Sequence, residues 1–390
     1  MMQRRKFFAL TGTFTGGALL LPDFLYSYGS QRTLITGKES VVFIQLNGGN
    51  DGLNTFVPIQ DPLYSELRPA IALNKNDVLG LHKGMAFHPA LRGMAKMQQD
   101  GNLTVIQNVG YPEPNRSHFR SREIWQTASA STDYLSDGWL GRYLDLQCSD
   151  HQPTAGINID TTDNLALQGV EANAITVKDP NRFKFRRDVE ETVTLSENPQ
   201  LDFARKIANS IPEGSKEIQQ ALSKANEEVN YPKSQTGRNL SWIARLIKGE
   251  MNTKVYYTSL GGFDTHNEQV NTHKRRLTEL DEALSSFYTD LKTSGLLDQT
   301  TIVVFSEFGR RVKDNGRGTD HGKAAPMFII GGGNKGQILG PNPNLADLDE
   351  GDLKYTTDFR SVYASILEDR LGFDARQIGI TQQKAKGIFS

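Results

Sequence analysis

The chain has 390 residues, of which 37% are hydrophobic, and its 44 basic residues balance 45 acidic ones. A chain of this length can bury a large core, so one large domain or two closely packed ones are expected. The near-zero net charge excludes a global electrostatic attraction to nucleic acid, so no nucleic-acid partner is expected and charged ligands must be bound locally. The single cysteine, Cys148, excludes an intramolecular disulfide and a thiolate-rich zinc site.

Residues 1–37 predict an export signal and leader. Arg4 and Arg5 precede a moderately apolar stretch, residues 9–21, that glycine and threonine dilute. This stretch is shorter and more polar than a bilayer-spanning helix, which needs about 20 apolar residues, so no stable membrane span is expected. The paired arginines resemble the signal read by the twin-arginine export machinery. We therefore expect a periplasmic protein whose folded domain is residues 38–390.

Apolar, β-branched runs alternate with segments of helical spacing along the rest of the chain. This alternation is typical of βαβ units and of a mostly parallel sheet with helices on both faces. The predicted strands are 40–46, 102–108, 254–260, 301–306 and 325–333. The predicted helices are 88–101, 115–128, 198–210, 214–229, 237–249, 273–297 and 358–372. The expected fold class is a three-layer α/β sandwich with a mostly parallel central sheet.

The segment 160–239 differs from the rest because it is charged and has poor periodicity. It is expected to be a helical insertion or cap on the single domain rather than a domain of its own. Such variable segments often build substrate pockets.

Polar loops follow three of the predicted strands, and a fourth polar loop precedes the last one. Because the carboxyl ends of parallel strands share one edge of a sheet, side chains in these loops should converge. Carboxylates brought together repel one another unless protons or a cation neutralise them. Imidazole with carboxylate oxygens suits Zn²⁺ or Mn²⁺, whereas a carboxylate-rich set suits Mg²⁺ or Ca²⁺. We expect one or two divalent ions, with candidate ligands Asn50, Asp51, Asp264, His266, Glu307, Asp320 and His321.

Simpler roles are open for some of these residues. Glu307 could form a salt bridge with Arg310 or Arg311 at the end of its strand. Asp320 and His321 could be ordinary loop residues, with the aspartate in an Asx-turn and the histidine in solvent.

The start of the predicted helix 115–128 is a candidate catalytic element. Unpaired backbone N–H groups and the helix dipole favour anions at such a start. Ser117 could be a nucleophile or only a helix cap, and His118 could be a general acid or a residue bonded to nearby backbone. Arg116 and Arg120 flank the serine and could clamp an anion.

Five short motifs together carry a resemblance. They are Leu46-Asn-Gly-Gly-Asn-Asp-Gly-Leu-Asn54, Asn115-Arg-Ser-His-Phe119, Gly261-Gly-Phe-Asp-Thr-His266, Ser306-Glu-Phe-Gly-Arg310 and Thr319-Asp-His-Gly322. With the export signal, they resemble a widespread bacterial family of uncharacterised twin-arginine-exported proteins, domain-of-unknown-function family 1501. That family is grouped with the alkaline phosphatase and sulfatase superfamily. The resemblance implies an alkaline-phosphatase-like fold and metal-dependent hydrolysis of phosphate or sulfate esters in the periplasm.

The resemblance also implies roles for particular residues. Asp51, with Asn50 or Asn47 beside it, would bind metal after the first strand, and Ser117 or a metal-activated water would be the nucleophile. The later ligands would be Asp264, His266, Glu307 and His321. The sequence departs from the superfamily where Ser306-Glu307 replaces its usual Asp-His dipeptide, and where the spacing from Asp264 to His266 is shortened. These departures are also what a non-catalytic metal- or ligand-binding periplasmic protein on a decayed hydrolase fold would show.

The implied substrate is a small-molecule or glycan anionic ester. Because no cysteine stands at the helix start, the formylglycine chemistry of standard sulfatases is not expected. A small-molecule oxidoreductase ranks third, behind the hydrolase and the binding protein, because no Gly-x-Gly-x-x-Gly fingerprint follows the first strand.

Overall fold

A computed structural model describes residues 38–148, 152–171, 173–183, 199–225 and 229–389, with the backbone alone for 199–210. The predicted export signal and leader, residues 1–37, lie outside these ranges. Within them, no helix is both long enough and apolar enough to cross a membrane.

Two sheets are built from the described strands. In chain order the strands are β1 (Ser40–Leu46), β2 (Phe56–Val57), β3 (Leu79–His82), β4 (Met85–Phe87), β5 (Leu103–Gly110), β6 (Gly156–Asn158), β7 (Ala174–Thr176), β8 (Val255–Leu260), β9 (Thr300–Ser306), β10 (Ala325–Gly331), β11 (Ile338–Leu339) and β12 (Thr357–Asp358). The central sheet runs β11-β5-β10-β9-β1-β8-β6-β7, and β12 also pairs with β5. Its pairings are parallel except for those of β10, which is antiparallel to both β9 and β5. Strands β2, β4 and β3 form a small antiparallel sheet.

Helices lie between the strands. They are α1 (Gly52–Thr55), α2 (Pro62–Leu67), α3 (Arg92–Gln99), α4 (His118–Thr127), α5 (Trp139–Gln147), α6 (Pro199–Lys224), α7 (Gln235–Lys248), α8 (Gln269–Thr293) and α9 (Phe359–Asp369). Short 3₁₀ helices span Leu165–Leu167, Leu297–Gln299 and Ala375–Ile378. Helix α6 replaces the two predicted helices 198–210 and 214–229, with Pro212 inside it.

Strand β1 shows why the fold has three layers. All seven of its residues are buried, and successive side chains point to opposite faces of the sheet. Val42 and Ile44 join one hydrophobic core, which also holds residues of α3, α7 and α8. Val41 and Phe43 join a second core with residues of α4, α5 and α9. The predicted α/β sandwich with a mostly parallel central sheet is confirmed.

The described part of 160–239 contributes to the same architecture. Strand β7 extends the central sheet beyond β6. Ile218 and Leu222 of α6 pack in the core that contains α7 and α8.

One edge of the central sheet collects the polar loops. Strands β1, β8 and β9 run parallel to one another and end at this edge. Strands β5 and β9 are both antiparallel to β10, so β5 ends at this edge as well. Because β10 runs the opposite way, the loop that precedes it begins at this edge. The sheet topology thus brings together the loops in which the sequence places its candidate site residues.

Candidate metal centre

Three histidine rings converge on one carboxylate at this edge. His118 begins α4, Asp264 and His266 lie in the loop after β8, and His321 lies in the loop before β10. The Nε2 atoms of His266 and His321 each lie 3.1 Å from Asp264 Oδ1 and 3.1 Å from each other. The Nε2 atom of His118 lies 3.4 Å from Asp264 Oδ2. The donor atoms therefore face a common point.

The other nitrogen of each ring meets an acceptor. These Nδ1 contacts are 2.9 Å from His118 to Glu307 Oε1, 2.9 Å from His266 to Asp320 Oδ1, and 2.8 Å from His321 to the carbonyl oxygen of Arg116. Since carboxylates and carbonyls only accept, a neutral ring at each position carries its proton on Nδ1 and presents the Nε2 lone pair. Metal-binding histidines have this arrangement, in which an outer acceptor fixes the tautomer and the orientation of the ring.

The donor set fits a divalent cation. Two Nε2 lone pairs at 3.1 Å repel each other unless a proton or a cation lies between them. Ligand atoms of a tetrahedral zinc ion, at about 2.0–2.1 Å from the metal, lie about 3.3 Å apart. His118 Nε2 is also buried without a hydrogen-bond partner among the described residues. The structure therefore contains a possible His/Asp metal site, whose core is His118, Asp264 and His321.

Asp264 is ionised at neutral pH. Burial raises the pKa of its carboxyl, but the charged groups around it, chiefly Arg310 through its hydrogen bond and its positive charge, hold the pKa at about 2. The side chain is still 48% exposed, so one side of the centre is open to solvent. An anionic, accessible carboxylate is what a metal ligand requires.

Arg310 holds the loops of the centre together, although the sequence suggested for it only a salt bridge with Glu307. Its side chain is fully buried, and one Nη2 donates to Asp264 Oδ1 at 2.6 Å. Nη2 also contacts the carbonyl oxygens of Gly48 and Phe263 (3.0 Å). Nε donates to the Gly49 carbonyl at 2.7 Å, and Nη1 donates to the Thr319 carbonyl at 2.7 Å. One guanidinium thus joins the loops after β1 and β8 to the loop before β10.

Two glycines allow these loops to approach closely. Gly48 has a φ of 118°, and a Cβ there would lie 2.4 Å from the backbone nitrogen of Asp264. Gly49 has a φ of 70°, and a Cβ there would lie 2.3 Å from the ring of Phe308. Positive φ and close backbone contact both favour glycine. The Phe308 ring in turn packs 4.9 Å from the ring centroids of His118 and His321.

Glu307 is fully buried and acts on the centre through His118. Its Oε1 accepts from the backbone N–H of Gly48 at 2.9 Å as well as from the His118 ring. The Ser306 hydroxyl lies 3.1 Å from its Oε2. Its contacts are with these groups rather than with Arg310, which pairs with Asp264.

Asp51 and Asn50 are not brought into the cluster. Asp51 is fully buried in an ion pair with Arg68 at 2.7 Å, and Gln269 also donates to it. Burial raises the pKa of Asp51, but the positive charge of Arg68 and the hydrogen bonds from Arg68 and Gln269 are among the effects that together outweigh burial and keep the pKa below its ordinary value. The Asn50 side-chain oxygen lies 2.8 Å from His273 Nε2. Asp320 lies at the outer side of the centre, where it contacts His266 Nδ1.

Ser117 directly precedes His118 of the cluster and makes no capping hydrogen bond with its side chain. It occupies the N-cap position of α4 with an extended backbone, but its side chain makes no capping hydrogen bond. Its backbone N–H donates to Asn115 Oδ1 at 2.8 Å. On one side of it, the carbonyl oxygen of Arg116 contacts the His321 ring. On the other side, the His118 ring faces Asp264. Capping therefore does not explain this serine.

The two arginines beside Ser117 are engaged elsewhere. Arg116 Nη2 lies 2.5 Å from Asp352 Oδ2, a buried carboxylate. Arg120 pairs with Glu123 at 2.9 Å and stacks 3.8 Å from the Tyr134 ring centroid. Both guanidinium groups are therefore already paired with carboxylates.

Three buried side chains near the centre were not predicted. Arg68, Gln269 and His273 lie on elements whose polar residues carry no local motif, and each acts by contacting Asp51 or Asn50. Gln269 and His273 are polar residues at buried positions of α8, and Arg68 is a buried polar residue just after α2. Such positions cannot be recognised before the packing is known.

No curated protein matches the sequence. Solved structures similar to this chain include PsFucS1 sulfatase from Pseudoalteromonas sp., with 9% identity, a TM-score of 0.41, and coverage of 94% of this chain and 75% of that chain. The phosphonate monoester hydrolase of Agrobacterium radiobacter has 12% identity, a TM-score of 0.37, and coverage of 86% and 74%. Alkaline phosphatase from the Antarctic bacterium TAB5 has 9% identity, a TM-score of 0.34, and coverage of 85% and 98%. A family model described as "Protein of unknown function (DUF1501)" matches residues 101–385, so the chain belongs to that family.

Proposed function

We propose that the protein is a metal-dependent hydrolase of phosphate or sulfate esters, acting on a small-molecule or glycan anionic ester. One observation carries the proposal: three histidines direct Nε2 at Asp264, and one of them, His118, directly follows Ser117, an N-cap serine whose side chain makes no capping hydrogen bond. The nitrogen-rich set favours Zn²⁺ or Mn²⁺ over Mg²⁺ or Ca²⁺. When bound by Asp264 and the histidines, the ion supplies positive charge that stabilises the oxygens of the reacting ester.

Ser117 supplies the nucleophile, or positions a water that takes its place. Its position at the start of α4 puts the reacting ester near the unpaired N–H groups of the first helical turn, which favour anions. His118 directs Nε2 toward Asp264 and Nδ1 toward Glu307, so it suits metal binding better than proton donation to a leaving group. Glu307 and Asp320 orient the rings to which they are bonded.

A second candidate function is a non-catalytic metal- or ligand-binding protein on the same fold. The ion pairs of Arg116 with Asp352 and of Arg120 with Glu123 favour it, because both arginines that could clamp the anionic group of an ester already have carboxylate partners. The two candidates share the metal centre and differ in turnover alone.

The experiment combines metal content with turnover. We would measure metal per chain in the purified protein and hydrolysis of an aryl phosphate and an aryl sulfate after loading with Zn²⁺ or Mn²⁺. The His321→Ala variant should lose both metal and turnover, whereas His82→Ala, at an exposed histidine of β3, should lose neither. Absence of metal in the wild-type chain would refute the proposal, and stoichiometric metal without turnover would favour the binding protein.

Export to the periplasm belongs to the same proposal. It rests on Arg4 and Arg5 ahead of the short apolar stretch in residues 1–37. These residues fused to a reporter should direct twin-arginine-dependent export, and the Arg4→Lys, Arg5→Lys double variant should block it. A reporter that stays in the cytoplasm with the native segment would refute this part.

A further inference from the structure

Asp51 is a buried carboxylate in the loop after β1 whose two oxygens are already paired with protein groups. Its side chain is fully buried. Its Oδ1 accepts from the backbone N–H of Asn54 at 3.3 Å. Its Oδ2 accepts from Arg68 Nη1 at 2.7 Å and from the side-chain amide of Gln269. A buried carboxylate needs such compensation, and Asp51 obtains it from the protein.

The Arg68 guanidinium is surrounded by four oxygen acceptors. Oxygen ligands from carboxylates, amides and backbone carbonyls are the set that hard cations prefer. Here they surround a guanidinium instead, which delivers its positive charge through several hydrogen bonds. The contacts are 2.7 Å to Asp51 Oδ2, 2.9 Å to Asn54 Oδ1, 2.8 Å to the Val312 carbonyl and 2.7 Å to the Arg311 carbonyl.

Neighbouring side chains fix this arrangement. The Thr319 hydroxyl donates to Gln269 Oε1 at 2.7 Å, so the Gln269 amide nitrogen is the end that faces Asp51. Asn50, beside Asp51, has its oxygen on His273 Nε2 and its amide nitrogen 2.9 Å from Thr55 Oγ1. Both side chains that the sequence offered as ligands after β1 are therefore already satisfied.

We infer that each chain holds one metal ion, bound by Asp264 and the histidines, and that Arg68 supplies to Asp51 the charge that a second ion would otherwise supply. The inference rests on the proposed metal centre and fixes its stoichiometry. Among the described residues, the donor atoms of His118, Asp264 and His321 lie within 4.8 Å of one another. His266 Nε2 joins the same cluster, 3.1 Å from Asp264 Oδ1 and from His321 Nε2. Asp51 is paired with Arg68 and takes no part in this cluster.

The first test is metal stoichiometry. The full chain, stripped with a chelator and dialysed against Zn²⁺ or Mn²⁺, is expected to retain one equivalent by mass spectrometry of the metal. Two equivalents would overturn the inference and leave the proposed hydrolase function standing. No retained metal would overturn both, so the two failures are distinguishable.

The second test locates the ion with matched variants. Asp51→Asn is expected to keep one equivalent, whereas Asp264→Asn is expected to lose it. Asp281→Asn is the control for general destabilisation, because Asp281 is a buried carboxylate that caps α3 through the N–H groups of Gly93 and Met94. A folded Asp51→Asn protein that loses its ion, beside an Asp281→Asn protein that keeps it, would overturn the inference.

A further variant covers the case in which Asp51→Asn does not fold. Arg68→Lys keeps a positive charge beside Asp51 but cannot reproduce the planar fork of hydrogen bonds. It is expected to retain one equivalent and to unfold at a lower denaturant concentration than the wild type. A change to two equivalents, or to none, would contradict the assignment of Asp51 and Arg68 as a pair outside the metal centre.

Discussion

Replacing Arg310 with methionine should destabilise the fold, because it removes the guanidinium while keeping most of the apolar volume. A buried carbonyl left without a donor costs about 1–3 kcal/mol, and the carbonyls of Gly48, Gly49 and Thr319 together set an upper range of about 3–9 kcal/mol. The Phe263 carbonyl loses Arg310 but still accepts from the N–H of Thr265 at 2.8 Å. The Asp264 carboxylate also loses its contact with Arg310. Relaxation of the loops and the half-exposed state of Asp264 reduce the total, so we expect a loss of about 4 kcal/mol.

Urea unfolding of the metal-free protein measures this loss. Domains are commonly stable by only about 5–15 kcal/mol, so Arg310→Met should unfold at a much lower urea concentration than the wild type. Arg310→Lys keeps the charge and at most three donors, and its loss should be intermediate. Arg376→Met, at an exposed arginine paired with Asp374, is the matched control and should unfold with the wild type. A loss below about 1 kcal/mol for Arg310→Met would refute the role given to this side chain.

Three further predictions concern the site and the pH dependence of stability. Ser117→Ala should retain its metal and lose ester turnover by at least about 10³-fold if the serine is the nucleophile, and full turnover would remove it from that role. Glu307→Gln should weaken metal binding about 10–100-fold in a chelator competition, because His118 loses its anionic partner, and unchanged affinity would contradict that support. Burial lowers the pKa of His88 to about 3, so its contribution to stability is complete above about pH 6.5 and falls as the pH drops toward 3. From pH 6.5 to 5 the free energy of unfolding should therefore fall by up to about 2 kcal/mol more in the wild type than in His88→Asn, and equal slopes would contradict this account.

The strands were the most predictable part of the fold. Residues 40–46 were predicted as a strand, and β1 has those bounds, because a strand buried on both faces is apolar throughout. Helix starts were less predictable. Helix α8 begins at Gln269 rather than at 273, after Glu268, which has a φ of 50° and makes no side-chain cap. The backbone N–H of Gln269 donates to the Arg317 carbonyl, a contact with a distant loop that no local signal reports.

Convergence of the loops was predictable because strand direction alone determines it. The pairing of charges within the loops was not, since it depends on packing. Asp51 forms an ion pair with Arg68, a residue of the polar and irregular segment after β2. Asp51 is therefore neutralised by Arg68 and not by an ion shared with Asp264. From the sequence, Ser117 could be a nucleophile or only a helix cap. In the structure its side chain makes no capping hydrogen bond, which excludes simple capping.

The most direct test of the account is anomalous diffraction at the metal absorption edge from crystals of the Zn²⁺- or Mn²⁺-loaded protein. The account predicts a single strong peak per chain, among the Nε2 atoms of His118, His266 and His321 and the carboxylate of Asp264. An empty map at that position, or a peak beside Asp51, would contradict it.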